Sequence, residues 1–515
     1  MKPFIGLAGI LLAAMVSEFN DQVTSLALVD IRGNLGISYD PGTWIQSLYA
    51  SAQIVGMACS PWLLTTFTLR YWTLFSIALC GVASSLIPFS PNIEAIYALR
   101  LMQGFAGGLL IPLLMVTALR AIKDLSLRLY GLAFYALSAS FTSGLAASLS
   151  ALWTDMVGWR FVFLQALPLC AAAAALVWYG DPQDQPRYQR FHCADWRGVL
   201  LAIIGFGAFS TMLYQGDRLD WFNSPLICVL ALISAVTLPL FVVNEWFHPL
   251  PLIKPQLLGR RNIAYGALAL FTFLIISQAG STVPLQVLQQ VQGYRPSQSS
   301  LITLEIALPQ LLLLPAVAFL LNFRRVDARV VSFIGLALML TACIGTSFVD
   351  YTWNRDQFYL WQIFQAIGQP LVVLPLLLFA TNSLKDPSEA PYLSALVNTP
   401  RALAEVVAVW LFALIVRWRG SLHSDRIIDQ IGQDRFRVLQ HGDTTSAVPI
   451  PPFAQPSPSA PHGLAALSDA VRQQVAVMTT ADTFLILAAL TVFLMILVLL
   501  LPVRTLPPQF QFAKR

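Results

Sequence analysis

The chain has 515 residues, of which 57% are hydrophobic and only 11% are charged. Soluble proteins carry about 25% charged residues, so this composition excludes a soluble globular protein of this length. The net charge of +5 is weak evidence for a nucleic-acid partner, and we predict none.

Fourteen stretches of apolar sequence follow one another along the chain. Runs of about 20 apolar residues match the hydrocarbon core of a bilayer, so we predict an all-α polytopic membrane protein. A cleaved signal peptide is the alternative for the first stretch. However, the apolar character of this stretch continues to Val29, and no cleavage site is convincing. The predicted spans are residues 4–29, 42–64, 72–92, 95–117, 129–152, 160–179, 198–215, 225–246, 263–287, 299–321, 330–349, 357–381, 391–416 and 482–502.

Lysine and arginine residues predict how these spans are oriented. If both termini are cytoplasmic, the cytoplasmic segments hold all five lysines: Lys2, Lys123, Lys254, Lys385 and Lys514. The short opposite loops then carry only Arg32, Arg160, Arg218, Arg295 and Arg355. Because positive residues concentrate in cytoplasmic loops, we predict a multi-pass protein with both termini in the cytoplasm.

Two polar segments divide the spans into groups of six, two and six. One runs from Gly180 to Arg197 and the other from His248 to Asn262. We therefore predict three parts: an N-terminal six-helix bundle over residues 1–180, a cytoplasmic linker with two extra helices over 181–262, and a C-terminal six-helix bundle over 263–515.

A long outer loop is predicted over residues 420–481. Its middle, Val448–Pro461, contains six prolines and is typical of an extended connector. The flanks, 424–439 and 464–477, show the apolar spacing of helices. The loop is either a solvated spacer or a docking surface for a periplasmic partner.

Cysteine and histidine positions give no support for a metal or catalytic site. The six cysteines lack metal-ligand or disulfide-like spacing. The five histidines lie outside the predicted spans, and no phosphate-binding glycine-rich loop is present, which excludes an ATP-powered pump within this chain. A membrane-embedded transferase is the alternative class, but we predict no catalytic residue, no metal, no cofactor and no enzyme activity.

Charged residues within the predicted spans are the strongest functional signal. A carboxylate at the centre of a membrane helix costs about 2.5–3.5 kcal/mol, so such residues often mark ion or proton paths. Glu18 and Asp21 are three residues apart and share one face of the first span. Arg401 and Glu405 are four apart in span thirteen, and Glu305 lies in span ten. For each, a structural ion pair or hydrogen bond without proton transfer stays open as an alternative.

The fourth span carries a recognisable motif. Residues 99–108 read LRLMQGFAGG and resemble the motif R-x-x-Q-G-x-G of the major facilitator superfamily. Its glycines, which let helices approach closely, are Gly104, Gly107 and Gly108. In that family the arginine, here Arg100, is linked to proton handling, and the glutamine, here Gln103, helps to orient neighbouring helices. The resemblance implies the major facilitator fold, with two six-helix bundles around a central cavity.

Further segments are similar to the fourteen-span drug:proton antiporters of that superfamily, the EmrB/QacA-like group. They are residues 18–36 in span one, Trp44 before span two, Trp159 and Arg160 at the start of span six, and residues 394–401 in span thirteen. Two segments depart from the family pattern. The loop after span two, residues 61–70, lacks the family's aspartate and second glycine, and span five has Gly144 but no proline.

The resemblance implies a proton-driven antiporter that exports small amphiphilic compounds, such as drugs or toxic metabolites, across a bacterial inner membrane. The implied partners are protons, the substrate, the lipid bilayer and, as candidates, a periplasmic adaptor and an outer-membrane channel. Export of an endogenous metabolite or siderophore stays open, as does a proton-independent facilitator or sensor. The predicted proton-coupling residues are Glu18, Asp21, Arg100, Glu305, Arg401 and Glu405, and the predicted substrate-cavity residues are Asn20, Gln103, Gln278 and Asn398.

Overall fold

The structure is a computed structural model that describes residues 2–122, 125–181, 188–323, 325–384, 386–433 and 460–500. Within these ranges the regular secondary structure is helical, with no β-strand. This confirms the predicted all-α class. The helices are α1 (Lys2–Leu26), α2 (Leu28–Leu35), α3 (Tyr39–Thr66), α4 (Leu69–Leu86), α5 (Ile93–Ala121), α6 (Leu125–Met156), α7 (Trp159–Leu164), α8 (Ala166–Gly180), α9 (Trp196–Gly216), α10 (Pro225–Phe247), α11 (Arg261–Gln290), α12 (Pro296–Ser299), α13 (Leu301–Leu321), α14 (Ala328–Thr346), α15 (Arg355–Asn382), α16 (Ala390–Gln433) and α17 (Ala460–Leu500).

Each predicted span coincides with a helix or with two consecutive helices, and 13 helical segments of the described chain are long and apolar enough to cross a bilayer. The span without a matching segment corresponds to α3, which has 28 residues. Polar residues such as Ser47, Ser51 and Gln53 lower its hydropathy, and all three are buried. A helix enclosed by other helices need not be apolar on every side. The count of fourteen spans therefore remains a prediction.

The helices pack into two groups. In the N-terminal group α1 packs on α6 and α8, while α5 packs on α3 and α4. In the C-terminal group α15 packs on α11, α13 and α14, while α17 packs on α11, α14 and α16. The two groups meet where α6 packs on α13 and α15, and where α16 packs on α3 and α5. The interior between them is the place where a cavity can form.

Helices α9 and α10 form a hairpin that touches both groups. α9 packs on α3 of the N-terminal group and on α16 of the C-terminal group. Two ion pairs connect the turn between α9 and α10 to other helices: Arg218 Nη1 lies 2.9 Å from Asp40 Oδ1, and Arg417 Nη1 lies 3.5 Å from Asp217 Oδ1. The hairpin therefore bridges the groups, and the six-two-six division stays a prediction.

The motif glycines lie where α5 crosses its neighbours at close range. A Cβ atom at Gly104 would collide with the backbone oxygen of Tyr49, and one at Gly108 with the backbone oxygen of Gln53. A Cβ atom at Gly107 would meet a side chain of α1. The absence of a side chain at these positions is what allows α5 to approach α3 and α1 so closely.

Trp159 and Arg160 begin α7, directly after Gly158, whose φ of 102° lies in the left-handed region. The Arg160 guanidinium lies 5.9 Å from the centre of the Trp159 ring, and that ring packs edge-on against Phe163 at 6.5 Å. Both contacts lie within the first turns of α7, and the structural role of Trp159 and Arg160 stays a prediction.

The flanks of the predicted outer loop are continuous with transmembrane helices. α16 has 44 residues and α17 has 41, so α16 alone is about 66 Å long at 1.5 Å per residue. The helices extend into both flanks, where the apolar spacing predicts helix, and the bounds of the outer loop at 420 and 481 stay a prediction. The proline-rich connector lies largely outside the described residues.

Candidate functional site

A cavity of about 70 Å³ lies between the two helix groups. α1 and α6 line one side, and α11, α13, α15 and α16 line the other. Its wall combines apolar residues with serines, glutamines and three charged side chains. The charged residues are Glu18, Arg401 and Glu405.

Arg401 contacts two carboxylates within this cavity. It forms an ion pair and hydrogen bond with Glu18, which lies on α1 in the opposite helix group. Its Nε lies 3.5 Å from Oε1 of Glu405, one turn further along α16. Glu18 is 4% exposed and Arg401 is 3% exposed. The Arg401 guanidinium therefore forms ion pairs with two carboxylates, and its ion pair with Glu18 joins the two helix groups.

Asn398 joins the helix groups beside this ion pair. The hydroxyl of Tyr135 donates a hydrogen bond to Asn398 Oδ1 at 2.7 Å, and Asn398 Nδ2 donates to the backbone oxygen of Ser394 at 2.7 Å. The Ser394 hydroxyl in turn donates to the backbone oxygen of Pro112 on α5 at 3.0 Å. Asn398 is not among the residues that line this cavity, and its place in the substrate cavity stays a prediction. Its amide is used in helix contacts.

Arg100 is fully buried inside the N-terminal group. Its Nε donates to the backbone oxygen of Ile45 at 3.1 Å, and its Nη1 donates to Gln103 Oε1 at 2.6 Å. Its Nη2 lies 4.0 Å from Oδ1 of Asp21, and its guanidinium lies 4.2 Å from the centre of the Tyr49 ring. Arg100 is thus held mainly by neutral oxygen atoms and an aromatic ring, with Asp21 as its counter-charge.

Asn20 and Gln103 belong to the same buried network. Gln103 Nε2 donates to the Ser84 hydroxyl at 2.6 Å, and Asn20 Nδ2 donates to that hydroxyl at 3.2 Å. Gln165 Nε2 donates to Asn20 Oδ1 at 3.2 Å. Neither Asn20 nor Gln103 lines the cavity. Their amides are occupied by contacts between α1, α4 and α5, and their place in the substrate cavity stays a prediction.

Glu305 lies apart from the other acidic candidates. It is on α13, half-buried, on the same face as the exposed residues Leu301, Leu308 and Leu312. The cavity side of α13 carries Gln310 instead. The structure therefore brings Glu18, Arg401 and Glu405 together and does not bring Glu305 to them.

Three glutamines of the cavity wall were not among the predicted site residues. Gln22 lies one turn after Glu18 on α1, and Gln310 and Gln369 interrupt the apolar sequences of α13 and α15. Gln278, which was predicted, also lines the cavity. The i, i+4 spacing of Glu18 and Gln22 is a signal that could have identified Gln22.

A larger cavity of about 230 Å³ lies between α11, α16 and α17 near the predicted outer side. Gln286 and Gln290 contribute to its wall. Nearby, Asp482 Oδ2 lies 2.6 Å from Arg419 Nε and 2.5 Å from His423 Nε2, which ties α16 to α17. None of the acidic candidates lines this cavity, so the interior charges mark the smaller one as the candidate site.

A helical membrane protein with a charged cavity between two helix groups has the architecture of a solute transporter. A sequence model of the Major Facilitator Superfamily matches residues 10–409. The chain belongs to that superfamily, as the fourth-span motif predicted.

Comparison with individual proteins supports this assignment. The chain is 26% identical to the fatty acid resistance protein FarB of Neisseria gonorrhoeae over 431 residues, which cover 82% of each chain. It is 26% identical to the multidrug export protein EmrB of Haemophilus influenzae, again over 82% of each chain. Among solved structures, a POT family transporter with a bound thioalcohol-conjugated peptide has a TM-score of 0.60 at 14% identity, over 95% of each chain. The structural similarity confirms the fold.

Proposed function

We propose that this protein is a proton-driven exporter of small amphiphilic compounds in a bacterial inner membrane, with both termini in the cytoplasm. Its relatives include proteins named for multidrug export and for fatty acid resistance. The observation that carries the proposal is the ion pair between Glu18 and Arg401, because it joins the two helix groups inside the cavity.

The charge balance of the cavity supports proton coupling. Glu18 and Glu405 carry two negative charges when both are ionised, and Arg401 supplies one positive charge. An uncompensated charge in a low-dielectric interior is strongly unfavourable. The remaining negative charge is therefore neutralised either by a proton or by a cationic group of the substrate. Proton and substrate then exclude one another, as exchange requires.

Protonation also acts on the contact between the helix groups. A protonated Glu18 no longer forms an ion pair with Arg401, which then interacts with Glu405 on its own helix. The tie from α1 to α16 is weakened, and one group can rock against the other to expose the cavity on the opposite side of the membrane. Glu18 therefore both binds the proton and, through Arg401, ties the two helix groups together.

For a neutral substrate, the membrane potential supplies enough energy for the exchange. Exchange of one proton for a monovalent cation moves no net charge and is driven by the pH gradient alone. One elementary charge that moves inward gains about 2.3 kcal/mol per 100 mV. At about 150 mV, a single proton exchanged for a neutral substrate supports a concentration gradient of roughly a few hundredfold.

Inverted membrane vesicles provide the test, with ethidium as the transported probe and an imposed pH gradient. We expect the rate of proton-driven ethidium uptake to be at least tenfold lower in the double variant Glu18→Gln and Glu405→Gln. Glu305→Gln is the matched control, because Glu305 is also an acid within a span but lies off the cavity; it should keep most of the uptake. Unchanged proton-driven uptake in the double variant would contradict the proposal.

A proton-independent facilitator is the second candidate, and the loop after α3 favours it. Residues 61–70, at the junction of α3 and α4, lack the family's aspartate, and aromatic rings pack at this junction: Trp62 on α3 lies 5.5 Å from Phe191 and 5.7 Å from Trp196, and Phe67 stacks on Trp72 of α4 at 5.1 Å. Counterflow of ethidium with and without a pH gradient separates the two functions, since a facilitator gives equal rates.

We further propose a periplasmic adaptor as a partner of the α16–α17 hairpin. The length of both helices supports this idea, because about 66 Å of α16 exceeds the roughly 30 Å of a hydrocarbon core. The test is co-purification of the adaptor with a variant in which residues 434–459 are replaced by a short Gly-Ser linker. Undiminished co-purification would remove this segment from the interface.

A further inference from the structure

A second chamber of about 50 Å³ adjoins the charged cavity. Both share Gln22, Ser140, Ser143, Ser277, Gln278 and Gln369. From this shared boundary the second chamber extends toward Leu26 on α1, Ala147 on α6 and Leu285 on α11, which is the predicted outer direction. Of the described residues that line it, none is charged. The pathway thus has a charged part and an uncharged polar part.

Three amide side chains at the boundary have unused hydrogen-bonding capacity. Gln22, Gln278 and Gln369 make no side-chain hydrogen bond to another described residue, and Gln369 is only 4% exposed. In the charged cavity, Gln310 Nε2 donates to the backbone oxygen of Ala366 at 2.8 Å, but the buried Gln310 Oε1 has no partner among the described residues.

Unpaired amides in the interior of a membrane protein are unfavourable unless a ligand or water satisfies them. A role in helix packing does not explain Gln369. On the same helix, Gln362 Nε2 donates to the backbone oxygen of Gly280 on α11 at 3.3 Å. Gln362 therefore joins two helices, whereas Gln369 faces the pathway without such a contact.

The position of the amides relative to the charges defines what they can bind. A primary amide offers both donors and acceptors but no net charge. A charged group placed in the second chamber would have no counter-charge among its lining residues. A hydroxyl, carbonyl or carboxamide group, in contrast, would satisfy the amides without introducing a charge.

We propose that Gln22, Gln278 and Gln369 form a specificity site for an uncharged hydrogen-bonding group of the substrate. The substrate class is an amphiphile that carries a hydroxyl, carbonyl or carboxamide group. This inference rests on the proposed function, since it takes the cavity as the substrate pathway. Selection among substrates then depends on the three amides, while energy coupling depends on Glu18, Arg401 and Glu405.

A pair of environment-sensitive naphthalene dyes tests the inference on the full-length protein in lipid nanodiscs. One dye carries a carboxamide, and the other carries an isopropyl group of nearly the same shape. A site built to hydrogen-bond a polar group rejects the analogue that lacks it, because the site's own polar groups are left unpaired. We expect the carboxamide dye to bind about tenfold more tightly or better.

The variants Gln278→Leu and Gln369→Leu, alone and together, should reduce this preference, and the double variant should bind both dyes within about twofold of each other. Gln362→Leu is the matched control and should keep the preference. An unchanged preference in the double variant, or equal binding of the two dyes to the unmodified protein, would overturn the inference.

A third variant separates this inference from the proposed function. Glu18→Gln with Glu405→Gln should retain the preference for the carboxamide dye while losing proton-driven transport. If the preference is retained and the proton gradient never drives transport even in the unmodified protein, the proposed function fails and the amide site stands. If transport is proton-driven and the preference is absent, the amide site fails alone.

Discussion

Two carboxylates on α1, three residues apart, pair with different arginines. Asp21 faces Arg100 at 4.0 Å within the N-terminal helix group, and neither residue lines the cavity. Glu18 binds Arg401 of the C-terminal helix group, and both residues line the cavity. The same helix therefore carries one ion pair within a helix group and one ion pair between the two groups.

The two ion pairs are therefore expected to have different roles, one in stability and one in proton coupling. Rocking of the helix groups leaves contacts within a group intact and changes contacts between groups. Arg100 would keep its bonds to Ile45 and Gln103 in both states, whereas the tie between Glu18 and Arg401 is of the kind that such a movement breaks. We therefore expect the Asp21–Arg100 pair to determine stability and the Glu18–Arg401 pair to determine the response to protons.

The largest effect is expected from Arg100→Gln. Removal of one partner of a buried ion pair leaves the other charge uncompensated and costs about 3–5 kcal/mol. The substitution also removes the donors to Ile45 and Gln103. Thermal unfolding of the purified protein in detergent should show the loss of stability as a lower melting temperature. Arg401→Gln should destabilise less, because its partners border a cavity; equal losses for both variants would remove the distinction.

A smaller loss of stability is expected from Gly108→Ala. The added Cβ would collide with the backbone oxygen of Gln53 on α3, and overpacking of this kind costs about 1–3 kcal/mol. Because the strain lies within the N-terminal group, the pH dependence of transport should stay as it is. Gly207→Ala is the matched control, since nothing lies within 4 Å of its Cβ position. An equally stable Gly108→Ala protein would contradict the close approach of α5 and α3.

Two substitutions on α1 test whether Glu18, and not Asp21, determines the pH dependence of transport. Glu18→Gln removes an ionisable group from the cavity, so it should flatten the dependence of ethidium transport on pH and lower the proton-driven rate about tenfold. Asp21→Asn should keep the shape of the pH profile. A flattened profile in Asp21→Asn, with a normal profile in Glu18→Gln, would reverse the roles assigned to the two carboxylates.

Sequence patterns predicted the spans well, because a long apolar run has few alternatives in a membrane protein. They also identified Glu18, Arg401 and Glu405 as interior charges. They did not reveal the partner of each charge, since Glu18 and Arg401 are 383 residues apart and meet only through packing of the helix groups. Glu305 was placed with the others because α13 is apolar on all sides, so its sequence does not show which face is lipid-exposed.

The smallest effect is expected at the turn between α9 and α10, where Arg417 pairs with Asp217 and Asp220 on the surface. Hydrogen bonds from Asn223 and Arg417 lower the pKa of Asp220 below its ordinary value of 3.8. A carboxyl group with a lowered pKa stabilises the folded state above pH 3.8, and this stabilisation is lost as the pH falls through the folded-state pKa. Exposed ion pairs contribute little and are screened by salt. Arg417→Gln should therefore shift the melting temperature only slightly at pH 7. The shift should shrink in high salt, decline as the pH falls below 3.8 and vanish below the folded-state pKa of Asp220. A large shift that persists in high salt would show that this turn holds the two helix groups together more strongly than its exposure suggests.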